Sequence, residues 1–245
     1  MSRYIIEIAT SDFNTTRAAV EGGADRVELC ANLAEGGTTP SYGHILRCRE
    51  AFTSVQMYPI IRHRGGDFLY TDEEFDIMLQ DVKLCRQLGC DGVVVGLLHR
   101  DGSIDIARTA RLVEAAYPLG VTFHRAFDRC KEPFQALEQL IDTGCERILT
   151  SGQQPSAPDA VEMIAALNKA AGGRIIIMPG SGVRKENIKM LAAQTGCTEF
   201  HSSLRSKVKS SMDFVHPAFA ADEETCLNNA IDAAEVRAFR QALYE

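Results

Sequence analysis

The sequence predicts an α/β fold, a single (β/α)₈ TIM barrel with parallel strands, on three observations. Eight short runs rich in β-branched residues alternate with eight longer amphipathic stretches. The 245 residues match the length of about 250 that such a barrel needs. A glycine-led outline also recurs at every second strand, as Gly23-Ala24-Asp25-Arg26-Val27-Glu28-Leu29-Cys30, Gly89-Cys90-Asp91-Gly92-Val93-Val94-Val95-Gly96, Gly144-Cys145-Glu146-Arg147-Ile148-Leu149-Thr150-Ser151 and Gly196-Cys197-Thr198-Glu199-Phe200-His201-Ser202-Ser203.

In order, strands are expected at 4–8, 26–30, 57–62, 92–96, 121–124, 147–150, 174–178 and 199–201. Helices are expected near 12–22, 41–52, 72–88, 104–116, 131–143, 158–171, 185–194 and 233–244. Such alternation requires parallel strands joined by right-handed crossovers. An open doubly wound sheet could use the same elements, but eight strands at even spacing favour closure. Each repeated glycine suits the left-handed residue that ends a helix. Cys90, Cys145 and Cys197 then fall at the N-terminal face, where residues stabilise rather than react. Cys48 and Cys85 fall inside helices and should pack. The polar stretch 205–230 reads as a long loop after strand eight, so one domain spans 1–245.

The net charge of −7 argues against a general nucleic-acid partner, which wants a basic face. The longest apolar run, 93–98, is interrupted by Gly96 and falls far short of the roughly 20 residues of a membrane span. The N-terminus enters the first strand without a leader-like apolar region. Eight cysteines without a Cys-x-x-Cys pair fit reduced thiols in a cytoplasmic protein.

Alternation along the strands assigns the interior. In strand two, Val27 and Leu29 face the helices, which leaves Arg26, Glu28 and Cys30 facing the barrel axis, where branched apolar side chains are the rule. Glu7 in strand one, Arg62 ending strand three, His124-Arg125 ending strand five, and Glu199 with His201 in strand eight repeat this oddity. A buried ion-pair network would account for them, but buried charge is costly, and a working pocket is the stronger explanation. Glu7, Glu28, His124 and Asp128 are the candidate acid–base groups, with Asp128 expected to turn back toward His124. Arg62 and Arg125 would neutralise developing charge.

Three loops complete the expected mouth. After strand three, Arg64 and the pair Gly65-Gly66 permit close approach to a ligand. After strands six to eight, Thr150-Ser151-Gly152, Gly180 to Val183 with glycines at Gly180 and Gly182, and His201-Ser202-Ser203 suit an anion, together with Arg26. The alternative for Gly180 and Gly182 is relief of crowding at a tight turn. No lysine stands at a strand end, which disfavours a Schiff base.

These segments resemble the CutC family, named for copper homeostasis. The resemblance is carried by the strand-two outline 23–30 and by Glu35-Gly36-Gly37-Thr38-Thr39-Pro40-Ser41. Further matches are Arg62-His63-Arg64-Gly65-Gly66-Asp67-Phe68-Leu69-Tyr70, Thr122-Phe123-His124-Arg125-Ala126-Phe127-Asp128, Leu149-Thr150-Ser151-Gly152, Gly180-Ser181-Gly182-Val183 and Glu199-Phe200-His201-Ser202-Ser203. It implies a cytosolic barrel, commonly a homodimer or higher homo-oligomer, linked to copper handling. It also implies a Cu(I) cofactor or cargo held by cysteine thiolate, for which Cys30 is the match; His124 and His201 are the imidazoles expected beside it at the mouth, since Cu(I) prefers thiolate and imidazole. The residues alone leave a second possibility open, an isomerase or lyase acting on a small anionic or phosphorylated metabolite. A third, a non-catalytic ligand sensor, leaves the charged interior unexplained.

Overall fold

A computed structural model of the chain describes residues 4–221 and 226–245. Eight strands form the barrel wall: β1 (Ile5–Thr10), β2 (Arg26–Leu29), β3 (Gln56–Pro59), β4 (Gly92–Val95), β5 (Gly120–Phe123), β6 (Arg147–Thr150), β7 (Ile176–Pro179) and β8 (Glu199–Ser202). Around them, among the described residues, lie α1 (Phe13–Glu21), α2 (Tyr42–Ala51), α3 (Asp72–Gln87), α4 (Ile106–Ala116), α5 (Pro133–Asp142), α6 (Val161–Ala171), α7 (Ile188–Thr195) and α8 (Ala233–Gln241). All pairings in the wall are parallel. They run in two halves, β3-β2-β1-β8 and β4-β5-β6-β7. A parallel bridge from Ile60 to Val94 joins β3 to β4, and β7 lies beside β8, closing a (β/α)₈ barrel.

Local chemistry sets the element ends. Thr71 and Glu74 cap each other's backbone to start α3, and Asp12 with Thr15 does so for α1. On α3, Phe75, Met78, Val82 and Cys85 fall on one face and pack into the core. The four repeated glycines, Gly23, Gly89, Gly144 and Gly196, all have positive φ, as expected at the turns that end helices. Cys48, Cys85, Cys90, Cys145 and Cys197 are buried and unpaired.

The stretch 205–230 departs from the long loop expected. Its ends form an antiparallel pair, β9 (Arg205–Lys209) with β10 (Leu227–Ile231). Every residue of β9 is exposed, so no buried face imposed an alternation that could be read from sequence. Residues 222–225 of that stretch lie outside the described residues, as do residues 1–3 of the expected leaderless N-terminus. Among the described residues, no helix is long and apolar enough to cross a membrane.

Candidate active site

Register decides what the barrel holds. Glu7 pairs across with Arg26 and with His201, and Ala9 pairs with Glu28. These alternate residues point to the axis in layers. In the lower layer Arg26 bonds Glu7 through Nε, and its Nη2 reaches Glu199 Oε2 at 2.6 Å. Arg147 Nε bonds the same Glu199 oxygen at 2.6 Å. Both guanidinium groups lie over the Tyr58 ring, 5.2 and 5.6 Å from its centroid. Each buried charge therefore meets its opposite, the condition under which burial is tolerable.

Above this layer sit His201 and Glu28. Burial alone would raise the Glu7 carboxyl, but Arg26 and His201 hold it well below the usual carboxylate range. Glu7 is thus an anion, and His201 Nδ1, 2.7 Å from its Oε1, is the donor. The other ring nitrogen, Nε2, stands 3.9 Å from Glu28 Oε2. Burial pushes Glu28 up to about 7 against the pull of His201. Burial lowers His201, yet the hydrogen bond to Glu7 and the charge of Glu28 outweigh it and raise the imidazole above its ordinary value. A carboxyl held near neutrality beside an imidazole whose basicity is raised constitutes an acid–base pair.

The pair forms part of the wall of a cleft of about 770 Å³ at the C-terminal ends of the strands. Among the described residues, six arginines line it, Arg62, Arg100, Arg125, Arg129, Arg184 and Arg205, against the three carboxylates Glu28, Glu35 and Asp67, and no lysine does. Such a wall favours an anionic occupant.

Several expected residues meet here and several do not. Glu28, Arg62, His124, Arg125, Gly182, His201, Ser202 and Ser203 all line the cleft. Glu7 lies beneath it as the anchor of His201. Arg26 does not reach an anion site, because its guanidinium is consumed in the lower layer. Arg64 turns outward to Glu74, 2.6 Å away, and braces the loop before α3. Asp128 does not turn back to His124. It accepts from Thr150 Oγ1 at 2.5 Å and from the Ser151 and Gln153 amides at 2.9 and 3.2 Å. The loop expected to hold an anion through Thr150, Ser151 and Gly152 is thus filled by the chain's own carboxylate, and Arg125 bonds that carboxylate and Ser151. A Cβ on Gly180 would lie 2.4 Å from Leu149, and one on Gly182 would lie 2.1 Å from Ser156, so crowding accounts for both glycines. Val183 is buried, and its carbonyl accepts from Ser202 Oγ, which also takes a bond from Arg184.

His124 lies at the opposite side of the acid–base question. Burial and then the charge of Arg62 push it down to about 3. Its Nδ1 accepts from the Ala126 amide at 3.1 Å, so the ring is neutral with its proton on Nε2.

Arg147 is a buried charge that the sequence does signal. The outline Gly144-Cys145-Glu146-Arg147 places it as Gly23-Ala24-Asp25-Arg26 places Arg26. Arg100 and Arg184 come from irregular loops, Arg129 from the short 3₁₀ turn 125–129 and Arg205 from the start of the fully exposed β9, and in none of these does a buried face assign a direction.

The donor set does not fit a Cu(I) centre. Cys30 is fully buried, is not part of the cleft wall, and donates its thiol proton to Glu28 Oε2 at 3.4 Å. Burial, then the adjacent Glu28 charge, pushes the thiol well above its ordinary value, away from the thiolate that metal binding needs. Ligation through His124 Nε2 would require moving its proton and losing the Ala126 bond. Among the described residues, no group of three or more His, Cys, Asp or Glu side chains is placed to hold a metal ion.

Residues 4–206 match the family model described as CutC. A family protein CutC of Chromobacterium violaceum is 50% identical over 242 residues, covering 98% of each chain. One from Parabacteroides distasonis is 55% identical over 212 residues, 86% of this chain and 87% of that one. A solved CutC from Streptococcus agalactiae, described as a candidate copper homeostasis protein, is 33% identical with a TM-score of 0.79, over 82% of this chain and 98% of that one. N-(5'-phosphoribosyl)anthranilate isomerase from Pyrococcus furiosus, at 10% identity and a TM-score of 0.57, shares the fold alone.

Proposed function

This chain belongs to the CutC family, and from that premise we propose that it is an enzyme of the isomerase or lyase class acting on a small anionic, carbonyl-bearing metabolite. The observation that carries this is the Glu28–His201 pair set into a cleft walled by six arginines. The arginines supply attraction for the anion and orient it. Glu28, in its ionised form, takes a proton from the carbon beside the carbonyl. His201, held by Glu7, returns a proton to the neighbouring carbon or oxygen, and the pair is reset when Glu28 gives up the proton it took to solvent and His201 takes one back. No lysine lines the cleft, so the chemistry does not proceed through a Schiff base to the protein.

Copper handling comes from the description of the Streptococcus agalactiae relative. The Cys30 thiol is held protonated and the unprotonated nitrogen of His124 is taken by the Ala126 amide, so copper is the weaker reading for this cleft. Unpaired cysteines fit a reducing, cytoplasmic setting. The exposed Met212, Phe214 and Phe219 near β9 offer apolar surface suited to a homo-oligomer.

The test is solvent exchange. The protein is incubated in heavy water with a panel of sugar phosphates and 2-oxo acids, and carbon-bound deuterium is followed by NMR. Exchange into one of them, reduced by roughly 10²–10⁴ in Glu28→Gln and in His201→Asn, is the expected result. Absence of exchange across the panel, with no anion bound to the cleft, overturns the proposal.

A further inference from the structure

We propose that Arg62 and His124 form a gated oxyanion site in which the Nε–H of Arg62 and the Nε2–H of His124 donate to one oxygen of the substrate once the Phe68 ring swings aside. This rests on the proposed anion-binding cleft and adds to it the group that would receive negative charge as the proton leaves carbon.

Two donors beside the cleft lack a partner of good geometry. Arg62 Nε and His124 Nε2 are both buried and without a hydrogen-bond partner. Each residue is 4% exposed, and each lines the cleft. Burying an N–H without a partner is costly, so two beside one cleft call for an explanation. The remaining nitrogens of Arg62 are committed: Nη1 to the carbonyls of Glu35 and Gly37 at 2.7 and 2.9 Å, Nη2 to that of Gly66 at 2.7 Å. The guanidinium is thereby fixed in position with only Nε left to give. Tyr70 Oη, buried and likewise without a partner of good geometry, lies close enough for the Arg62 guanidinium to pull on its phenol. His124 is fixed likewise, since its Nδ1 takes the Ala126 amide and leaves Nε2 as the donor.

One aromatic ring covers both. Phe68 is half-buried, its centroid 5.0 Å from the His124 ring and 5.1 Å from Arg62 Cζ. Its backbone cannot drift, because the Phe68 carbonyl accepts from the Leu98 amide at 2.9 Å and Arg64 holds the Leu69 carbonyl at 2.8 Å. Rotation of the side chain is the movement left to it. When the ring leaves, a neutral imidazole and an arginine face the cleft as donors, an arrangement suited to an enolate or carboxylate oxygen. His124 is then an electrophilic donor rather than a proton carrier, and proton transfer belongs to Glu28 and His201.

The experiment uses the full chain with nitrogen-15 histidine and oxalate, a planar dianion resembling an enediolate. Two-bond proton–nitrogen spectra are expected to show His124 as the neutral Nε2–H form between about pH 5 and 8. Oxalate should shift the Nε2 resonance and slow exchange of its proton with water. His124→Phe should weaken oxalate by about 10- to 100-fold, and His124→Gln, which retains an N–H donor, should lose less. Phe68→Ala should hasten oxalate association and expose the Nε2 proton to faster exchange before oxalate is added. Oxalate that binds with His124 signals unmoved and affinity unchanged in His124→Phe overturns the oxyanion site while leaving the anionic cleft standing. Failure of oxalate to bind the wild type overturns both.

Discussion

Replacing Glu28 by Gln should make the protein more stable above neutral pH while removing its chemistry. Glu28 is buried, and its carboxyl is pushed up from the ordinary value of 4.5 to about 7 in the folded chain. Between those values the unfolded chain has released a proton that the folded chain still holds. Stability therefore falls as pH rises across the interval, by about 1.36 kcal/mol per pH unit. Over about 2.5 units the wild type loses about 3 kcal/mol that the neutral Gln variant keeps. Below pH 4.5 both wild-type states are protonated and the penalty is absent. Gln occupies a similar volume and still offers an oxygen to the Cys30 thiol, so little else should change. The assay is urea unfolding of both proteins at intervals from about pH 4.5 to 8, plotted as the difference in unfolding free energy. A difference growing toward alkaline pH in favour of Glu28→Gln is expected. A pH-independent difference would refute the claim that burial holds this carboxyl near neutrality, and the acid–base role would lose its physical basis.

Two further outcomes follow from other parts of the barrel. Arg26→Met leaves Glu7 and Glu199 without their shared cation deep in the interior, so denaturant unfolding should show a loss of about 3–5 kcal/mol; a loss below about 1 kcal/mol would mean that water already reaches this layer. In an anaerobic Cu(I) competition against a chromophoric chelator, Cys30→Ala and His124→Ala should retain the wild-type affinity, because neither residue presents a free deprotonated donor; tight one-to-one binding lost in Cys30→Ala would reinstate copper at the mouth.

How much was legible in sequence depended on whether a periodic constraint acted on the residue. The barrel was legible because each strand must bury one face against helices, and the alternation at Arg26-Val27-Glu28-Leu29 exposes the direction of the charged residues as clearly as that of the apolar ones. Depth was not. Alternation put Arg26 and Glu28 on the same face, but two residues along a strand is about 7 Å. That distance separates a sealed ion pair from a group at the cleft. Loop partners were hidden for another reason. The segment Thr150-Ser151-Gly152 does form the nest of donors its composition suggested, yet Asp128 from the preceding strand's loop fills it, and only tertiary structure pairs the two. The ring nitrogens of His124 were equally unreadable, since the Ala126 amide that fixes the tautomer belongs to a short 3₁₀ turn at 125–129.

The lower layer and the cleft are one electrostatic object. Arg147 and Arg26 converge on Glu199, Arg26 also holds Glu7, and ionised Glu7 accepts the Nδ1–H of His201, which leaves Nε2 facing Glu28. If Glu7 were neutral, His201 would lose the anion that fixes its tautomer and raises its basicity, and Glu28 would lose the graded partner beside it. A scaffold with no chemistry would gain from replacing Glu7, Arg26, Arg147 and Glu199 with packed aliphatic side chains, because buried ion networks are often no more stabilising than apolar substitutes. Retaining them is intelligible when the top of the chain of charges is what has to be tuned. The same logic explains why His124, outside that chain and beside Arg62, is neutral while His201, at its end, is readily protonated.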